Sequence, residues 1–106
     1  MDANTVFAHY YVQPGQEAAF EALLQKHIPT LRSLDLVKEA PAQYFRGADR
    51  AGNPLYIEIF TWKPGAVERA HEHPEVMAIW EPMGTLCESR EGRPKMDFPH
   101  LHAFTL

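Results

Sequence analysis

The sequence is short of several things, and each shortage removes a class of protein. It holds one cysteine, Cys87, so no disulfide can form within the chain. That fits a reducing cytoplasm. With no His or Asn arranged beside it, Cys87 reads as a small core residue rather than a nucleophile. No apolar run approaches the ~20 residues that a membrane-spanning helix needs. The opening segment "MDANTVFAHYY" has neither a basic region nor a long apolar stretch, so it is not expected to be a signal peptide. Lys and Arg number 10 against 14 Asp and Glu, for a net charge of −4. No basic stripe is offered to nucleic acid. There is no internal repeat, low-complexity tract or linker. One cytoplasmic domain over residues 1–106 is expected, with no membrane or nucleic-acid partner.

What is present is a regular alternation of elements. "TVFAHYYV" (5–12) is β-branched and aromatic, which suits a strand. "QPGQE" turns the chain, and Phe20, Leu23, Leu24, His27, Leu31 and Leu34 then recur at helical steps. Pro29 is expected to kink or end that helix. "LVKEAPAQYFRG" (36–47) reads as extended, with Pro41 marking an edge strand or bulge. "LYIEIFTW" (55–62) is the clearest strand. "AVERAHEH" starts a second helix, and Pro74 opens a further helical piece with Val76, Trp80, Met83 and Cys87 at helical spacing. "REGRPK" is a surface loop whose arginines, like Lys26 and Arg32, are expected in solvent. "MDFPHLHAFTL" closes the chain as a strand. The order β-α-β-β-α-β predicts an α+β, ferredoxin-like fold, with helices on one face of an antiparallel sheet.

This layout, "VQPGQEAAFEALL" after the first strand and "IEIFTWKPGAVERAHEHPEV" in the second half resemble the dimeric α/β-barrel superfamily. More narrowly, they resemble its antibiotic-biosynthesis-monooxygenase-like domains. The most specific element is a Trp ending the third strand with a His nine residues later, here Trp62 and His71. The resemblance implies a homodimeric α/β barrel closed by two facing sheets. It implies an oxygenase-like enzyme that acts on a small, electron-rich aromatic of quinol or anthrone type with no organic cofactor. Haem-degrading relatives carry an iron-binding His near the place of Trp80 and an Asn in the first strand, where this chain has Ala8 or His9. Both departures argue against haem degradation.

Strands sort their residues onto two faces. Val6, Ala8, Tyr10 and Val12 share one face of the first strand, opposite Phe7, His9 and Tyr11. In the third strand Ile57, Ile59 and Thr61 oppose Tyr56, Glu58, Phe60 and Trp62. In the last, Leu101, Ala103 and Thr105 oppose His100, His102 and Phe104. The small aliphatic sets are the expected bed for the helices. That puts His9, Glu58, His100 and His102 together on the other face, which the resemblance turns into the barrel. Three readings stay open for this group. It forms structural hydrogen bonds; or it is a catalytic pocket, with His9 and Glu58 as base; or it is a metal site of a metal-dependent enzyme. A further alternative is a dimer that binds a small ligand without turnover.

"HEH" (71–73) is a poor chelate, because residues two apart on a helix diverge by ~200°. His73 precedes a proline and reads as a joint between helices. His71 and His102 join His9, Glu58 and Tyr11 as candidate catalytic residues. Trp62, Trp80, Arg46 and Tyr56 are the candidate substrate contacts, with Trp62 a stacking wall and Arg46 or Tyr11 stabilising an anion.

Overall fold

Alternation of inward and outward residues builds a four-position sheet, and a helical stripe covers one face of it. In this computed structural model residues 4–106 are described. Met1 to Ala3, the start of the segment expected not to be a leader, lie outside the described residues. The elements are β1 (Asn4–Tyr11), α1 (Glu17–Ser33), β2 (Gln43–Ala48), β3 (Pro54–Trp62), α2 (Ala66–Ala70), α3 (Pro74–Thr85), β4 (Met96–Asp97) and β5 (His100–Leu101). The strand order is β2-β3-β1-β4, with β5 continuing beside β1. Every pairing is antiparallel. The ferredoxin-like α+β arrangement expected from the element order is therefore present.

α1 buries Phe20, Leu24, His27, Ile28 and Leu31, much of the stripe read from the sequence. Pro29 does not end it. The proline lies on the exposed side, so the carbonyl it leaves without a donor faces water rather than the core. The break between the second helices falls where expected. His73 is extended, at φ −96° and ψ 117°, and Pro74 begins α3. Cys87 lies beyond α3 and bridges Val12, so it belongs to the sheet side and not to the helical stripe. It is buried and free, and burial pushes its thiol up to about 11, which suits the inert core role. The last strand is broken in two. Pro99 cannot donate to the ladder, though its carbonyl still accepts from Phe7 N–H at 3.2 Å. His102 and the residues after it form no strand.

The face of β3 is the main correction. The register pairs Val6 with Phe60, Ala8 with Glu58 and Tyr10 with Tyr56. Paired residues project to the same side, so Tyr56, Glu58, Phe60 and Trp62 lie under the helices, and all four are buried. Ile57, Ile59 and Thr61 take the outer face. Size matching across the strands explains the choice: slim Val6 and Ala8 leave room for Phe60 and Glu58.

Arg90 is a second correction. It is 10% exposed and is held on several sides. Its guanidinium donates to the carbonyls of Val12 and Pro54 at 2.5 and 2.7 Å and pairs with Glu88 and Asp49. The loop after α3 is thus clamped to the end of β1 and the start of β3.

Candidate active site

Glu58 is fully buried, and a buried carboxylate needs donors. It finds them on β1 and α1. The Tyr10 hydroxyl on β1 donates to Oε1 at 2.7 Å. His27 Nδ1 on α1 lies 2.9 and 3.0 Å from the two carboxylate oxygens. Tyr44, opposite Glu58 in the β2–β3 register, is raised above the ordinary tyrosine range by burial and by that carboxylate. Tyr10 is raised well above it for the same two reasons, burial first, so it stays a hydroxyl donor.

The chain of contacts continues outward. His27 Nε2 is 2.8 Å from the indole Nε1 of Trp80. An indole N–H only donates, so Nε2 accepts and the ring proton sits on Nδ1, where it donates to Glu58. His27 is therefore a neutral imidazole with a fixed tautomer. Its own exposure is 2%.

Trp80 forms one wall of a cavity of about 290 Å³ between the helices and the sheet, which His27, Phe60, Trp62, His71, Phe98 and His100 also line. The rings meet edge to face. Phe60 and Trp62 have centroids 5.2 Å apart, Trp62 and Trp80 6.2 Å, and His71 and Trp80 5.0 Å. Such a box suits a flat apolar ligand. His71 sits at its exposed rim, where Nδ1 lies 2.9 Å from the Val67 carbonyl. The carbonyl only accepts, so Nδ1 carries a proton and donates it there.

Of the residues picked from the sequence, Trp62, Trp80, His71 and His100 thus line this cavity, and Glu58 lies one residue behind it. The others stand elsewhere. His9 pairs with Ile57 on the outer face, and its Nδ1 bonds the Phe7 carbonyl at 2.8 Å, so it is no partner for Glu58. Tyr11 is buried beneath Arg90, 5.7 Å from its ring centroid. His102 is exposed beyond β5. Arg46 and Tyr56 meet at the far end of α1, where both donate to Glu21, at 2.7 and 2.5 Å. They line a wider, shallower cleft of about 630 Å³. Glu21 is lowered by the Tyr56 and Arg46 hydrogen bonds, and Tyr56 is pushed up to about 12 by burial and then by Glu21.

The set His9, Glu58, His100 and His102 is not brought together, because Glu58 and His9 lie on opposite faces. Among the described residues no three His, Cys, Asp or Glu side chains group to hold a metal ion. His27 was missed as a site residue. Its signal was a histidine within the apolar stripe of α1, over a sheet that carries one internal carboxylate.

No family model matches the chain, and no curated protein matches it significantly. Solved structures do. The fold superposes on SnoaB, a cofactor-independent oxygenase from Streptomyces nogalater, with a TM-score of 0.73 and 17% identity over 100% of this chain and 97% of that one. An antibiotic biosynthesis monooxygenase gives a TM-score of 0.71 and 12% identity over 96% and 99%. A dimeric ferredoxin-like protein of unknown function from a Jannaschia species gives 0.65 and 13% over 96% and 100%. These likenesses are of fold across the whole chain, and the fold hosts more than one chemistry.

Proposed function

We propose that the chain is an oxygenase-like enzyme that takes a flat, electron-rich aromatic of quinol or anthrone type into the Trp62–Trp80 cavity. The observation that carries this reading is the cavity itself: an aromatic box of about 290 Å³ with histidines on its wall. The shared fold with a protein described as a cofactor-independent oxygenase supports it. A substrate of this type supplies its own electrons. Once deprotonated, an anthrone passes them to O2: its methylene becomes a carbonyl, one oxygen atom is incorporated and the other leaves as water. The protein's task is to bind the ring system, remove the proton and hold the anion.

We also read the working form as a cytoplasmic homodimer. Phe7, Ile57 and Ile59 on the outer sheet face are only half-buried in the single chain, and the Jannaschia protein of this fold is dimeric. No helix among the described residues is long and apolar enough to cross a membrane.

Oxygen uptake by the purified protein with a panel of quinols and anthrones, against a heat-denatured control, tests the activity. Uptake well above autoxidation is expected. Saturable binding of these aromatics with no uptake would make the protein a ligand binder instead.

A further inference from the structure

We propose that His27, backed by Glu58, is the base that ionises a hydroxyl of the bound aromatic, and that the Trp80 indole N–H caps this base until the hydroxyl displaces it. The inference rests on the reading of the cavity as an aromatic-binding site.

Three histidines line the cavity, and their surroundings separate them. His100 is exposed, with no carboxylate paired to it among the described residues. His71 has only the Val67 carbonyl behind it and stands at the exposed rim. A carbonyl fixes its tautomer but brings no full charge to balance an imidazolium. His27 has a carboxylate behind it, in contact through both oxygens, and Tyr10 donates to that carboxylate. A carboxylate so placed orients the ring and stabilises the cation that forms on proton uptake.

The groups facing His27 are few. Glu58 comes from β3, with Tyr10 from β1 behind it. Trp80 comes from α3, and the Phe60 ring stands edge-on at 5.8 Å. Among the described residues no cation competes for the carboxylate. The imidazolium would be the only positive charge beside it.

The cap explains how so buried a base reaches substrate. Nε2 already accepts one hydrogen bond, from an N–H on the cavity wall. A phenolic O–H entering the cavity donates to the same lone pair, so one donor replaces another and no buried acceptor is left unmet. Trp80 is only partly buried, and its indole N–H lies at the cavity wall. The proton step is then complete in itself. The O–H bond breaks, its electron pair stays on oxygen, and the proton binds Nε2. The imidazolium ends between Glu58 on Nδ1 and the phenolate oxygen on Nε2.

The test uses 2-hydroxyanthraquinone, whose absorption reddens on ionisation, and anthraquinone, which has no hydroxyl. In the wild-type protein the bound hydroxy compound should ionise roughly one pH unit or more below its free value. H27Q and E58Q should lower its ionised fraction by about tenfold, which is one unit, while anthraquinone still binds. W80F should tighten the hydroxy compound severalfold relative to anthraquinone, because the competing N–H is gone. Circular dichroism checks that each variant is folded, and the W80F ratio carries the test if H27Q is not.

Ionisation that persists in H27Q or E58Q, or that depends on His71 or His100 instead, would overturn the proposal. So would a wild-type complex that stays un-ionised, or an unchanged ratio in W80F. Failure of both compounds to bind would overturn the cavity reading itself, and this inference with it.

Discussion

Trp80 and His27 share one hydrogen bond, 2.8 Å long, that joins a cavity wall to the centre of the core. Because the indole only donates, this single contact fixes the tautomer of His27. It thereby fixes the direction of every bond as far as Glu58. The cavity and the buried carboxylate are one connected unit, so substitutions at one end are felt at the other.

Tyr10 marks the inner end of that unit. Replacing it by Phe removes a donor from a buried carboxylate, and a loss of roughly 1.5–3 kcal/mol is expected. Urea unfolding of Y10F at neutral pH measures it. A loss below 0.5 kcal/mol would mean that Glu58 is satisfied without Tyr10.

The same residue sets an alkaline limit. Tyr10 and Tyr56 are raised in the folded chain, Tyr56 to about 12. A raised group holds its proton more tightly when folded. Its stabilising contribution is full below the unfolded value near ~10 and is lost as pH rises through the folded value. Unfolding free energy should therefore fall above pH ~10, with a shallower fall in Y10F. Thermal melts from pH 8 to 12 decide this, and equal slopes would contradict it.

On the acid side Asp49 is the clearest case. Its carboxylate accepts the N–H groups of Ala51 and Asn53, each at 3.0 Å, and its pKa is lowered, by the Asn53 bond first. A lowered group stabilises above the unfolded value near ~4, and the contribution is lost as pH falls through the folded value. D49N should flatten the acid limb of the stability curve below pH ~4. An unchanged limb would assign it to other carboxylates.

Arg90 tests the clamp on the last loop. It is 10% exposed and bonded on several sides. R90L should cost roughly 2–4 kcal/mol, because carbonyls and carboxylates are left without a donor. A urea midpoint unchanged from wild type would show that water replaces the guanidinium.

Trp62 tests the wall. Its ring stands 6.2 Å from Trp80. An aromatic contact is worth about 0.5–1.5 kcal/mol beyond its area. W62L should therefore weaken anthraquinone binding by roughly 2- to 12-fold, read from quenching of the remaining tryptophan.

Much of this was legible in the residues. The element order, the α1 stripe and the joint at His73–Pro74 follow from period and proline chemistry. Trp62 and Trp80, read as substrate contacts, and His71, read as catalytic, line one cavity. The face of β3 was not legible, because Ile57, Ile59 and Thr61 form as good an apolar set as Tyr56, Phe60 and Trp62. Only the pairing of Ala8 with Glu58 decides between them. That one inversion separated Glu58 from His9 and gave it to His27. Arg90 was misread because a loop arginine carries no mark of the carbonyls that will surround it.

The interruption at Pro74 has a geometric result of its own. Along an unbroken helix, residues nine apart are turned by about 900°, two and a half revolutions, and rise ~13.5 Å from one another. His71 and Trp80 would then point to opposite sides. Here their rings meet with centroids 5.0 Å apart. The extended His73 and the helix restart at Pro74 fold that half-revolution back, so two side chains that a straight rod would hold apart share the rim of one cavity.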